Sequence, residues 1–240
     1  MILWENFEKT ISSNIWVNIH NESDKNIVLF GNCHMATIGY MLNELLNYKY
    51  NIYIIISWYW DKNGLEKFDM KKINEEIYKL IQKCDVFLFH KHIKDYGVHA
   101  SYLPDCVNKN AICLQIPNIR LSYNSLNKSE FDRSMEILEY NIKDSNFPEF
   151  RFVYDYIFII RFFNNPDHPT HYLLFLITKA IYFKITNQNH RPFSIHDYYN
   201  TDNRQQFTEF KKYVILPDKK ELTIEMSNIT GIPMNTEYFD

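Results

Sequence analysis

Ile27-Val28-Leu29-Phe30-Gly31-Asn32-Cys33-His34 is the stretch that decides the fold. Its apolar residues run unbroken and stop at a glycine. A strand buried on both faces reads this way, as in a parallel sheet covered by helices on each side. Directly after it, Met35, Ile38, Met41, Leu42, Leu45 and Leu46 recur at spacings of three and four, which places them on one face of an amphipathic helix. A buried strand, a tight turn and a helix are therefore expected in immediate succession.

The alternation continues outward from there. Asn51 to Trp58 reads as a second strand, and Phe68 to Cys84 as a helix with Ile73, Ile77, Leu80 and Ile81 on one side. Val86-Phe87-Leu88-Phe89 is a third strand, and Ala111 to Ile116 a fourth, ended by Pro117. Strands alternating with helices imply βαβ units. The predicted architecture is α/β: a parallel sheet of about four strands with flanking helices, a Rossmann-like or SGNH-like half, plus a mainly helical C-terminal region. Right-handed crossovers bring the ends of the first, third and fourth strands to a common edge.

Residues 1–25 read as a loose helical or irregular lead-in, 26–125 as the α/β part, and 126–240 as a mainly helical region packed on it, one domain overall. In that last part Glu130 to Lys143 and Pro148 to Phe163 read as helices. His168-Pro169 opens another that runs to about Ile185, with Pro169 in the first turn, where a missing N–H costs nothing. Polar loops and a short helix near Lys219 to Ile229 follow.

Bulk composition narrows the class. The chain is 46% hydrophobic and 23% charged, with a net charge of −3, so nothing in it calls for a nucleic-acid partner. No basic region precedes an apolar stretch at the N-terminus, and no run approaches the roughly 18–20 residues of a transmembrane helix. Of the 4 cysteines, Cys33, Cys84, Cys106 and Cys113, none forms a C-x-x-C pair, which suggests reduced thiols in a cytoplasmic protein.

Four places carry chemistry. At Gly31-Asn32-Cys33-His34 the glycine permits a tight turn and Asn32 can cap the helix or aim its amide at a ligand. Cys33 then lies at a helix N-terminus, which favours the thiolate; the plainer reading is a small buried residue. His90-Lys91-His92 ends the third strand and suits a polar or anionic ligand. Two histidines on one strand face make a metal conceivable, but only His99 is nearby as a further ligand, so no metal is expected. Asn118 and Arg120 follow the fourth strand and can reach the same edge, although an ordinary turn explains them too. In Asn164-Asn165-Pro166-Asp167-His168-Pro169-Thr170-His171, Asp167 or Asn165 can cap the coming helix, and His168 sits where a neutral imidazole can serve as general base.

These segments, in this order, resemble the polysaccharide-biosynthesis acetyltransferase family typified by the capsule enzyme WcbI. The likeness rests on Gly31-Asn32-Cys33-His34 after its strand, on Asp85 to His90, on Ile116-Pro117-Asn118 with Tyr123, and on Asp167-His168-Pro169-Thr170 before an apolar helix. It spans about residue 26 to residue 186, with Glu221 to Tyr238 similar to the family's C-terminal end. His34 departs from the glutamine of the family pattern. The resemblance implies transfer of an acetyl group from acetyl-coenzyme A to a sugar hydroxyl of a capsule or surface glycan. Cys33, His34 and His168 would be catalytic. Gly31, Asn32, His90, Lys91, Asn118, Arg120, Tyr123, Arg161 and Asn165 would bind substrate or coenzyme A, with Lys94 a further basic candidate.

Two routes fit: direct attack of the hydroxyl with His168 or His34 as base, which is preferred here because it needs no covalent intermediate, or transfer through an acyl-Cys33. An SGNH-like esterase and a non-catalytic nucleotide- or glycan-binding module remain alternatives. The acceptor and the oligomeric state, a homo-oligomer included, stay open.

Overall fold

The structure is a computed structural model that describes residues 2–3, 16–56, 70–90, 103–121, 128–165, 168–213 and 215–216. Its centre is a five-stranded sheet. Strand β2 spans Trp16–Ile19, β3 Asn26–Gly31, β4 Asn51–Ile56, β5 Val86–Phe89 and β6 Ile112–Gln115, after a short β1 at Ile2–Leu3. The sheet order is β2-β4-β3-β5-β6; β2 runs antiparallel to β4 and every other pairing is parallel. The expected parallel sheet of four is thus present, with a fifth strand added at one edge.

That fifth strand corrects the reading of 1–25 as helical or irregular. Asn18 of β2 is exposed, and a four-residue edge segment is too short to show a period.

Inward faces alternate along the strands. Ile27 and Leu29 of β3 join a core with Ile52, Ile54, Val86 and Leu88; Val28 and Phe30 join another with Ile55, Phe87 and Phe89. Two helices account for the two faces. Helix α1, His34–Leu45, contributes Met35, Ile38, Met41 and Leu42 to the first core. Helix α2, Met70–Lys83, contributes Ile77 and Ile81 to the second. Gly39 lets α1 lie close on the sheet, since a Cβ there would stand 2.7 Å from Ile54 Cδ1.

The C-terminal part adds α3 at Lys128–Lys143, α4 at Arg151–Asp155, strands β7 at Phe163–Asn165 and β8 at His168–Pro169, α5 at His171–Ile185, α6 at Ile195–Tyr199 and α7 at Thr201–Phe210. Helix α5 packs along α1 and is buried almost all round. A two-residue strand, β9 at Ile215–Leu216, pairs in parallel with β1.

Three expectations shift here. Pro148 to Phe163 is not one helix: a 3-10 turn and the short α4 are followed by turns and β7. His168 and Pro169 do not open α5 but pair with β7, and Thr170 caps the helix by accepting from Leu173 N–H at 3.3 Å. The segment expected as polar loops carries α6 and α7. There Ser194 and Asp197 form a capping box, and Arg191 holds both Asp197 carboxylate oxygens at 2.8 Å. The expected helix near Lys219 lies outside the described residues.

Candidate active site

Strand order decides where a site can form. The chain steps from β3 to β4 on one side, then returns to place β5 on the other side of β3. A crevice opens at such a reversal, at the carboxyl ends of the two strands. Those ends are Gly31 and Phe89, and the residues just beyond them are Asn32-Cys33-His34 and His90.

Gly31 is required by packing rather than by backbone angle. A Cβ on it would lie 2.6 Å from His90 Nδ1, 3.0 Å from His90 Cγ and 2.9 Å from Met35 Cγ. The His90 ring therefore occupies the space a side chain would need. His90 is fully buried, and its Nδ1 faces the Asn32 N–H at 3.5 Å.

Asn32 organises the turn. Its Oδ1 accepts from the His34 N–H at 3.0 Å, its carbonyl accepts from Met35 N–H at 3.1 Å, and its Nδ2 donates to Asn118 Oδ1 at 2.8 Å. Asn32 is not the cap expected of it: it stands one residue before the cap, Cys33, and its side chain steadies the turn instead. Asn118 is tied in turn to α3, because Asn141 Nδ2 donates to the Asn118 carbonyl at 3.2 Å. Both amides are buried and hold the loop in place.

Cys33 is the cap residue of α1, half-buried, with Sγ 3.2 Å from His168 Nε2. This contact joins residues 135 apart in the chain. His34 lies beside it, its ring edge-on to His168 at 5.6 Å between centroids and to His90 at 6.2 Å. The ligand atoms of Cys33, His34 and His168 all lie within 4.8 Å of one another, the arrangement of a metal-capable cluster.

Burial pushes His168 down to about 4, with help from the neighbouring His171 and then from the Arg120 charge. The imidazole is thus neutral at pH 7. That neutrality comes first from desolvation on β8. Cys84 offers a contrast: burial, then Asp85 and Cys113, push its thiol up to about 12, so it is an inert thiol.

The remaining expected site residues divide. Arg120 is close enough for its charge to be felt at His168. Asn165 is the register partner of His168 across β7 and β8. Arg161 is exposed, and its carbonyl accepts from Tyr198 O–H at 3.0 Å, which places its backbone against α6. Lys91, His92, Lys94, His99, Tyr123 and Asp167 lie outside the described residues.

Three residues at the site escaped the sequence reading as participants. His171 and Asn164 are buried and face each other, with Asn164 Nδ2 3.4 Å from His171 Nδ1. Asn141 is the third; a buried amide between Leu138 and Ile142 on the apolar face of a helix was its available signal.

No family model, curated protein or solved structure matches this chain. What fold and site define is a class: a doubly wound α/β protein with a thiol–imidazole pair at its switch point. Among the described residues no helix is long and apolar enough to cross a membrane.

Proposed function

We propose that this chain is an acyltransferase that takes an acetyl group from coenzyme A and delivers it to a sugar hydroxyl of a capsule or surface polysaccharide. The single observation that carries the reading is the 3.2 Å contact of Cys33 Sγ with His168 Nε2 at the carboxyl edge of the sheet. A nucleophile within hydrogen-bond reach of a base is the signature of covalent acyl transfer. This geometry favours the acyl-Cys33 route, because His168 already faces the thiol.

In the first half-reaction His168 Nε2 accepts the thiol proton as Sγ attacks the thioester carbonyl. The tetrahedral intermediate collapses, the C–S bond to coenzyme A breaks, and the departing thiolate takes the proton back from His168. In the second half the sugar hydroxyl attacks the acyl-Cys33 carbonyl and His168 takes its proton. The Cys33 thiolate leaves and is reprotonated. The N-terminus of α1 favours the thiolate in both halves.

Arg120 is the proposed anchor for a phosphate of the donor. Its charge helps hold His168 low, so an anion docked on it would raise His168 toward the basicity a general base needs. Free-enzyme and donor-bound states then differ in base strength.

The test is coenzyme A release from acetyl-coenzyme A, with and without a panel of sugars and glycans. Sugar-dependent release that falls at least about a hundredfold in both Cys33→Ser and His168→Gln supports the reading. Release that Cys33→Ser retains points to direct attack. Equal turnover of a simple ester would point to a hydrolase.

A further inference from the structure

The geometry points to a second capacity of the same corner: Cys33, His34 and His168 form a three-donor site for a borderline-soft divalent cation, Zn2+ first, with the fourth position open. The inference uses only the placement of three ligand atoms and does not rest on the acyl-transfer reading.

Their Sγ and ring nitrogens lie within 4.8 Å of one another, and the Cys33–His168 pair is already at 3.2 Å. Zinc binds sulfur at about 2.3 Å and imidazole nitrogen at about 2.0–2.1 Å, so a tetrahedral ion needs donors about 3.3–3.6 Å apart. Movements of about an ångström, within the reach of side-chain torsions, satisfy that requirement.

The scaffold under the donors is held from several directions. Cys33 and His34 start a 12-residue helix whose first turn is fixed by Asn32 Oδ1 on the His34 N–H. His168 is fixed by pairing of β8 with β7 and by the Thr170 cap two residues on. One thiolate with two imidazoles selects Zn2+, Co2+, Ni2+ or Cu2+ over Mg2+ and Ca2+, which take oxygen donors.

Binding replaces the thiol proton, which leaves to solvent, and it occupies the sulfur that would attack a thioester. The nearby Arg120 charge opposes a cation. The site is therefore weaker than a closed four-ligand site, and occupancy follows metal supply.

Cobalt reports the ligands directly. The reduced full-length protein is titrated with Co2+ and followed by absorption, then back-titrated with Zn2+. The expected result is one equivalent of Co2+ with a sulfur-to-cobalt charge-transfer band, displaced by Zn2+ and indifferent to millimolar Mg2+. Cys33→Ser should abolish the band. His34→Gln and His168→Gln should each weaken Zn2+ binding by on the order of a hundredfold. Cys113→Ser, which alters an exposed thiol away from the cluster, should change nothing. Circular dichroism confirms that each variant is folded. Absence of the band in the wild type, or its persistence in folded Cys33→Ser, overturns the site whatever the transferase assay gives.

Discussion

Replacing Gly31 by alanine tests whether the site is built by close packing of His90 against the end of β3. The added Cβ would stand 2.6 Å from His90 Nδ1 and 2.9 Å from Met35 Cγ. Ordinary van der Waals contact begins about an ångström further out, at roughly 3.5 Å. Met35 Cγ lies near the root of a side chain that is itself fully buried, and the His90 ring is only 1% exposed, so neither yields freely; the ring makes the closest contact. Forcing a methyl group into a filled interior costs about 1–3 kcal/mol. In a chain of this size each kcal/mol lowers Tm by about 2–4 °C, so a fall of about 2–12 °C is expected. Urea unfolding followed by circular dichroism measures the cost, and the double variant Gly31→Ala/His90→Ala assigns it. Removing the imidazole removes the 2.6 and 3.0 Å contacts and leaves only Met35 at 2.9 Å. The alanine penalty should then fall by at least half. An equal penalty in both backgrounds would refute the packing argument, as would a Gly31→Ala protein as stable as the parent.

Other predictions follow from the same geometry. His168 titrates near 4 in the folded protein against 6.5 for an ordinary imidazole, so the unfolded chain binds the extra proton between those values. Its contribution is complete above pH 6.5 and is lost as pH falls toward 4. Wild type should lose about 2–3 kcal/mol more than His168→Gln over that window in denaturant titrations, and equal losses would count against it. Asn118→Ala leaves the buried Asn32 amide without its acceptor. It should cost about 1–3 kcal/mol in unfolding experiments and lower the rate of Cys33 alkylation by disturbing the turn. Asp197→Asn removes the charge that Arg191 and the Ser194 cap hold below the usual carboxylate range despite burial. A loss of about 1.5–3 kcal/mol with the Cys33–His168 chemistry intact is expected.

Much of the sheet could be read from the sequence because its strands are buried on both faces. Ile27 to Phe30 and Val86 to Phe89 have no solvent-facing positions, so they appear as unbroken apolar runs. Helix α1 was equally plain, since one flank faces the sheet and α5. Strand β2 was not, because an edge strand of four residues carries little pattern. Helices α6 and α7 announce themselves mainly through Ser194 and Asn200 at their caps, signals weaker than a hydrophobic period. At His168-Pro169 two signals compete, a proline tolerated in a first turn and a threonine suited to the cap, and Thr170 is the one the fold uses.

The site was legible in pieces. Gly31, Asn32, Cys33 and His34 could be placed together because strand, turn and helix are contiguous. The approach of His168 to Cys33 depends on α5 packing along α1 and on β7 pairing with β8, and no local pattern encodes a contact across 135 residues. Arg120 could be placed at the same edge, although its stretch also reads as an ordinary turn after a strand; its field at His168 is set by the fold.

The central claim is that Cys33 carries the acyl group and His168 moves its proton. Mixing the protein with acetyl-coenzyme A, quenching in acid within seconds and mapping the peptides by mass spectrometry tests it without knowledge of the acceptor. Acetylation confined to Cys33, fast in the wild type and at least about a hundredfold slower in folded His168→Gln, is the predicted result. An unmodified Cys33 while coenzyme A is released, or acetylation at the same rate without His168, would contradict it.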